Sequence, residues 1–77
     1  MEKYNVYGKP GCGFCTRAKR LLDRMNLDYN YIDIDEDSQA RFFVKEVIGT
    51  KKVPQIFKGT DYIGGYTELA AYLEDNQ

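Results

Sequence analysis

Cys12 and Cys15 are the residues whose type and spacing carry chemistry most directly. They flank Gly13-Phe14 and follow Gly8-Lys9-Pro10-Gly11, a dense turn signal. Behind that turn, Phe14, Cys15, Ala18, Leu21, Leu22 and Met25 recur at helical spacing. At a helix N-terminus, positions i and i+3 share a side, so the two sulfurs are close enough to bond. The first sits where unpaired backbone N–H groups and the helix dipole favour an anion. A thiolate is the nucleophile of disulfide exchange, which makes Cys12 the expected attacking sulfur, with Lys9 and Arg17 adding positive charge nearby. Cys15 falls on the apolar stripe with Ala18 and Leu22, so it is expected to be buried and to keep its proton until it resolves the intermediate. The chain has no histidine, which removes Ser-His and Cys-His catalysis in their usual forms. Two cysteines cannot make a four-ligand zinc site without histidines or recruited carboxylates, and the chain has no histidine, so no metal site is expected.

The elements that must hold these sulfurs can be read from the remaining pattern. Residues 2–7 read as a short strand containing Tyr4, Val6 and Tyr7. The helix that follows begins at Cys12 or Gly13 and runs to Asn26, with Thr16, Arg17, Lys19, Arg20, Asp23 and Arg24 on its polar face. Residues 28–35 form the next expected strand. Asp35, Asp37 and Ser38 offer cap oxygens to a second helix whose apolar stripe is Ala40, Phe43, Val44, Val47 and Ile48, stopping at Gly49. Residues 53–58 and 61–63 read as a hairpin turning at Gly59-Thr60. Gly64-Gly65 ends it, and Thr67 is the expected cap of a last helix carrying Leu69, Ala70, Tyr72 and Leu73. The order βαβαββα predicts an α/β fold in which the first two strands are parallel and the closing hairpin antiparallel. That gives a four-stranded mixed sheet flanked by three helices.

At 77 residues the chain is expected to be one domain, residues 1–77. Eleven basic and twelve acidic residues give a net charge of −1, which lends no bulk electrostatic support to nucleic-acid binding. No apolar run is long enough to span a bilayer, and the opening residues lack the apolar core of a signal peptide. A cytoplasmic monomer is the expectation. Charge is nonetheless segregated. Lys9, Arg17, Lys19 and Arg20 cluster near the cysteines, with Lys51-Lys52 as a second basic spot.

Three motifs resemble those of the glutaredoxins, within the thioredoxin-like fold. Val6-Tyr7-Gly8-Lys9-Pro10-Gly11-Cys12-Gly13-Phe14-Cys15 is similar to that family's strand and active-site loop. Lys51-Lys52-Val53-Pro54-Gln55-Ile56-Phe57 is similar to its segment ending in Val-Pro-Gln-Ile-Phe, and Gly64-Gly65-Tyr66-Thr67-Glu68-Leu69 to its Gly-Gly turn before the last helix. The resemblance spans nearly the whole chain. It implies a thiol–disulfide oxidoreductase with glutathione as co-substrate and disulfide-containing proteins as partners, ribonucleotide reductase being one candidate. It also implies a glutathione groove made by Lys9, Phe14, Lys51, Val53, Pro54, Gly65, Tyr66, Thr67 and Glu68. In that groove Pro54 is a cis proline, Val53 pairs its backbone with the substrate like an added strand, and Gly65 admits a close approach. Thr67 and Glu68 open the last helix, whose N–H groups can hold a carboxylate, while Lys9 and Lys51 face the other carboxylate. Two residues depart from the family pattern. Lys52 stands where threonine is usual, making the groove more basic, and Gly13 where many dithiol members have proline. A small residue at position 13 keeps open a 2Fe–2S cluster shared between two subunits through Cys12 and glutathione. Recycling by a thioredoxin reductase is the other alternative.

Overall fold

The computed structural model describes residues 3–75. Four strands, β1 (Tyr4–Gly8), β2 (Tyr29–Asp33), β3 (Gln55–Lys58) and β4 (Asp61–Gly64), form one sheet in the order β2-β1-β3-β4. β1 is parallel to β2 and antiparallel to β3, and β4 is antiparallel to β3. Helices α1 (Gly13–Arg24), α2 (Ser38–Phe42) and α3 (Tyr66–Asp75) complete the expected βαβαββα order. The first strand begins at Tyr4; Glu2, which the sequence pattern included, lies outside the described residues.

Alternation along β1 explains how both sheet faces are covered, because successive side chains point to opposite faces. Tyr4 and Val6 pack with Ala18 and Leu22 of α1, Ile56 of β3, and Leu69 and Leu73 of α3. Tyr7 packs instead with Ile34, Ala40, Val44, Ile32, Ile48 and Val53. Val6, Leu22, Ile56, Leu69 and Val44 are fully buried. Each such side chain contributes about 1.5–3 kcal/mol relative to an exposed one. α1 ends where Asn26 adopts a left-handed φ of 62°, and the Leu27 N–H closes on the Leu22 carbonyl at 2.9 Å.

The second helix departs from the expected stripe. Asp37 caps it, its Oδ1 accepting from the Ala40 N–H at 3.0 Å. From Phe43–Ile48 the winding widens to a π-helix, which ends at Gly49 with φ of 84°. The wider turn brings Ala40, Val44 and Ile48, four residues apart, onto the sheet. Val47, expected on the apolar stripe, is rotated outward and is 63% exposed, as is Phe42. Thr67 is also displaced from its expected role. α3 starts at Tyr66, which puts Thr67 inside the first turn. Gly65 occupies the capping position, and Glu68 supplies the side-chain bond by accepting from the Gly65 N–H at 2.7 Å.

Candidate active site

β1 delivers the chain through the turn at residues 9–11 to Cys12, which is the N-cap of α1 in extended conformation. The Cys15 N–H donates to Cys12 Sγ at 3.2 Å, and the Cys12 carbonyl accepts from the Thr16 N–H at 3.1 Å. The helix start therefore presents its free donors to that sulfur. Cys12 and Cys15 are joined as a disulfide, their Cα atoms 5.2 Å apart. Cys15 is 1% exposed and Cys12 half-buried, so one sulfur of the pair faces outward.

Gly8 makes the burial of Cys15 possible. A Cβ at this position would stand 2.9 Å from Cys15 Sγ and 2.9 Å from Cε1 of Tyr31. The Tyr31 hydroxyl donates to the Lys9 carbonyl at 3.3 Å, and Lys19 Nζ lies 4.1 Å from the centre of its ring. Burial, reinforced by the negative charge of Asp33, pushes the Tyr31 phenol above its ordinary pKa.

A cleft of about 490 Å³ opens beside Cys12. Its lining includes Phe14 from α1, Val53 and Pro54 from the loop before β3, and Gly65, Tyr66, Thr67 and Glu68 from the start of α3. The Val53–Pro54 peptide is cis, and the Val53 carbonyl oxygen lies 3.7 Å from Cys12 Sγ. Phe14 is 54% exposed, tilted against Tyr66 with ring centres 6.1 Å apart, and the Arg17 guanidinium lies 5.1 Å from its centre. A Cβ on Gly65 would meet Glu68 Oε1 at 3.2 Å and the Pro54 carbonyl at 3.6 Å. Its neighbour Gly64 has φ of 124° and leaves no room for a side chain against Glu68.

The structure thus gathers seven of the nine expected groove residues into one cleft. Lys9 and Lys51 are exposed and stand outside its lining, and the adjacent Lys52 lines it instead. Gln55 and Tyr62 also line it, although the sequence pattern presented them as strand residues. Among the described residues, no three of Cys, His, Asp or Glu converge as a metal site.

The stretch that carries the cysteine pair and the cis proline is matched by a family model. The glutaredoxin model covers residues 5–63. The chain belongs to the glutaredoxin family. Glutaredoxin 1 of Salmonella typhimurium is 33% identical over 92% of this chain and 90% of its own length. A glutaredoxin of Vibrio cholerae is 35% identical with the same coverage. Among solved structures, a glutaredoxin from Brucella melitensis has a TM-score of 0.80 at 39% identity, covering 99% of this chain and 82% of that one. A buckwheat glutaredoxin solved as a complex with glutathione has a TM-score of 0.83 at 28% identity, covering 97% of this chain and 71% of that one. Membership makes this glutaredoxin a thiol–disulfide oxidoreductase of thioredoxin-like fold, and Cys12 and Cys15 are its cysteine pair.

Proposed function

We propose that this glutaredoxin uses glutathione to reduce protein disulfides and glutathione-mixed disulfides, with Cys12 attacking and Cys15 resolving. The observation that carries the reading is the cleft beside Cys12. Its roughly 490 Å³ suits a tripeptide, and it offers an aromatic wall at Phe14 and Tyr66 and a cation at Lys52. The N–H groups opening α3 can take a carboxylate. The buckwheat relative, solved with glutathione, supports the same ligand here.

With a protein disulfide, the Cys12 thiolate attacks one sulfur, forming a mixed disulfide and releasing the other protein sulfur as a thiolate that takes a proton. The Cys15 thiolate then attacks Cys12 Sγ, expelling the second protein thiol and leaving the Cys12–Cys15 disulfide. Two glutathione molecules restore the dithiol, and they leave as glutathione disulfide. With a glutathione-mixed disulfide, Cys12 attacks the glutathione sulfur and expels the partner thiol. Free glutathione then attacks the Cys12-bound glutathione and regenerates the thiolate. The helix start favours the anion in each step. Lys52 and Glu68 are the charged side chains that line this site, and ribonucleotide reductase is one protein substrate on which it can be tried.

The test is turnover of a small glutathione-mixed disulfide with two recycling systems. The expected result is sustained turnover with glutathione and glutathione reductase, and little with thioredoxin reductase alone. The reverse preference would overturn the glutathione reading.

A further inference from the structure

We propose that Gln55 and Tyr62 act as a positioning pair that aims the backbone of residues 52–53 into the cleft, where it receives the extended chain of a disulfide substrate. The proposal rests on the reading that substrate lies along this cleft beside Cys12.

Gln55 is a buried amide, 6% exposed, and both ends of it are engaged. Its Nε2 donates to the Lys52 carbonyl at 2.9 Å, and its Oε1 accepts from the Tyr62 hydroxyl. The orientation of the amide follows from its partners. A carbonyl can only accept, so the NH₂ end must face Lys52, and the oxygen then takes the proton of the phenol. The Lys52 N–H is held as well, donating to Thr50 Oγ1 at 3.1 Å. Lys52 is therefore fixed at both of its backbone polar groups.

That double hold has a geometric consequence. The peptide between Lys52 and Val53 is planar and trans, with its oxygen and its N–H on opposite sides. Anchoring the oxygen inward on Gln55 turns the Val53 N–H the other way, away from the core. The Val53 carbonyl lies 3.7 Å from Cys12 Sγ. A chain whose disulfide has reached Cys12 would thus run past an aimed pair of Val53 backbone groups, the arrangement by which a strand is added to an edge. Tyr62 closes the relay from the far side. Its ring packs on Phe57 with centres 5.2 Å apart, and the β3–β4 register places Tyr62 opposite Phe57. The hydroxyl is thereby carried to Gln55 from β4, a strand that contains neither cysteine.

The test compares Tyr62→Phe, Gln55→Leu and the double variant with the parent. Two substrates are used, a glutathionylated peptide and a peptide with an internal disulfide. Tyr62→Phe keeps the ring against Phe57 and removes one bond to a buried oxygen, so KM is expected to rise about fivefold for both substrates. kcat is expected to stay within about twofold, because Cys12 and Cys15 are untouched. The same change on the Gln55→Leu background is expected to alter KM by less than about twofold, since the relay is already cut. Alkylation of reduced Cys12 by iodoacetamide, a reagent with no chain to bind, is expected to proceed at the parental rate in all variants. A purely structural role would lower the thermal midpoint and kcat along with affinity, and would add across the two sites. Parental KM for both substrates in folded Tyr62→Phe would overturn the proposal, as would equal effects on the two backgrounds. A parent that reduces the internal disulfide and leaves the glutathionylated peptide untouched would defeat the glutathione reading, and the KM for the internal disulfide would then decide the pair by itself.

Discussion

Replacing Gly8 by alanine tests whether Cys15 is held by close packing against the end of β1. Strand propensity alone argues for a gain, because alanine loses less backbone freedom on folding, by about 0.5–1 kcal/mol. The local geometry argues the other way. The new methyl would stand 2.9 Å from Cys15 Sγ and 2.9 Å from Tyr31 Cε1, closer than carbon contacts allow, with the Tyr31 hydroxyl nearer still. Neither neighbour yields cheaply. Cys15 is 1% exposed on α1, and Tyr31 is tied to the Lys9 carbonyl with Lys19 over its ring. Overpacking costs about 1–3 kcal/mol, and contacts this short with two ordered side chains put the cost in the upper part of that range, about 2–3 kcal/mol, so a net loss of about 1–2.5 kcal/mol remains after the entropic gain. For a domain of this size that lowers the thermal midpoint by about 5–15 °C. The assay is thermal unfolding of the oxidised protein, paired with reduction kinetics. A displaced Cys15 closes on Cys12 less well, so reduction of a protein disulfide should slow more than turnover of a glutathione-mixed disulfide. An unchanged or higher midpoint would refute the reasoning, and Gly8 would then be an ordinary strand residue.

Gly65→Leu should raise KM for a glutathionylated peptide about tenfold, the equivalent of about 1.4 kcal/mol of lost contact, because its side chain enters the cleft between Glu68 and Pro54. Parental KM would remove Gly65 from the groove. Alkaline pH should destabilise the protein. The Tyr31 phenol is raised by burial and by Asp33, so above about pH 10 the unfolded chain has lost a proton that the folded chain still holds, and stability falls as pH rises further. Tyr31→Phe should flatten that decline in urea midpoints measured from about pH 9 to 11, leaving the part due to Tyr4 and Tyr29, which are raised as well. A decline as steep as the parent's would mean that Tyr31 ionises as freely as in the unfolded chain.

Much of this protein was legible because its local signals agree with one another. The cysteine spacing, the turn before it and the 3.6-residue stripe through Ala18 and Leu22 all specify one helix start, and the structure has it at Gly13 with Cys12 as cap. The second helix was less legible because its apolar residues fit two periods. A stripe of Ala40, Phe43, Val44, Val47 and Ile48 satisfies ordinary winding, whereas packing selects the four-residue spacing of Ala40, Val44 and Ile48 and turns Val47 out. In the cleft, Phe14, Val53, Pro54 and the start of α3 were marked by their motifs. Adjacent lysines in a loop carry no periodicity, so nothing local distinguished Lys52 from Lys51. Gln55 and Tyr62 went unread for a different reason. Their meeting depends on the β3–β4 register, which shifts between Ile56 and Phe57, and a hairpin irregularity of that kind has no signature in either strand alone. A polar residue at an inward strand position, such as Gln55 beside Ile56, was the one signal that pointed to it.

The division of labour between the two sulfurs is the centre of the account, and it is tested by measuring two reactions in two variants. Reduction of a protein disulfide needs a second thiol to release the bound protein, and an internal thiol acts at a far higher effective concentration than free glutathione. Cys15→Ser should therefore slow that reaction strongly while preserving turnover of a glutathione-mixed disulfide, for which free glutathione completes the cycle. Cys12→Ser should abolish both, since serine is not ionised at neutral pH and cannot form a disulfide. Equal loss of both activities in Cys15→Ser would contradict the glutathione route, and either activity surviving in Cys12→Ser would contradict the assignment of the attacking sulfur itself.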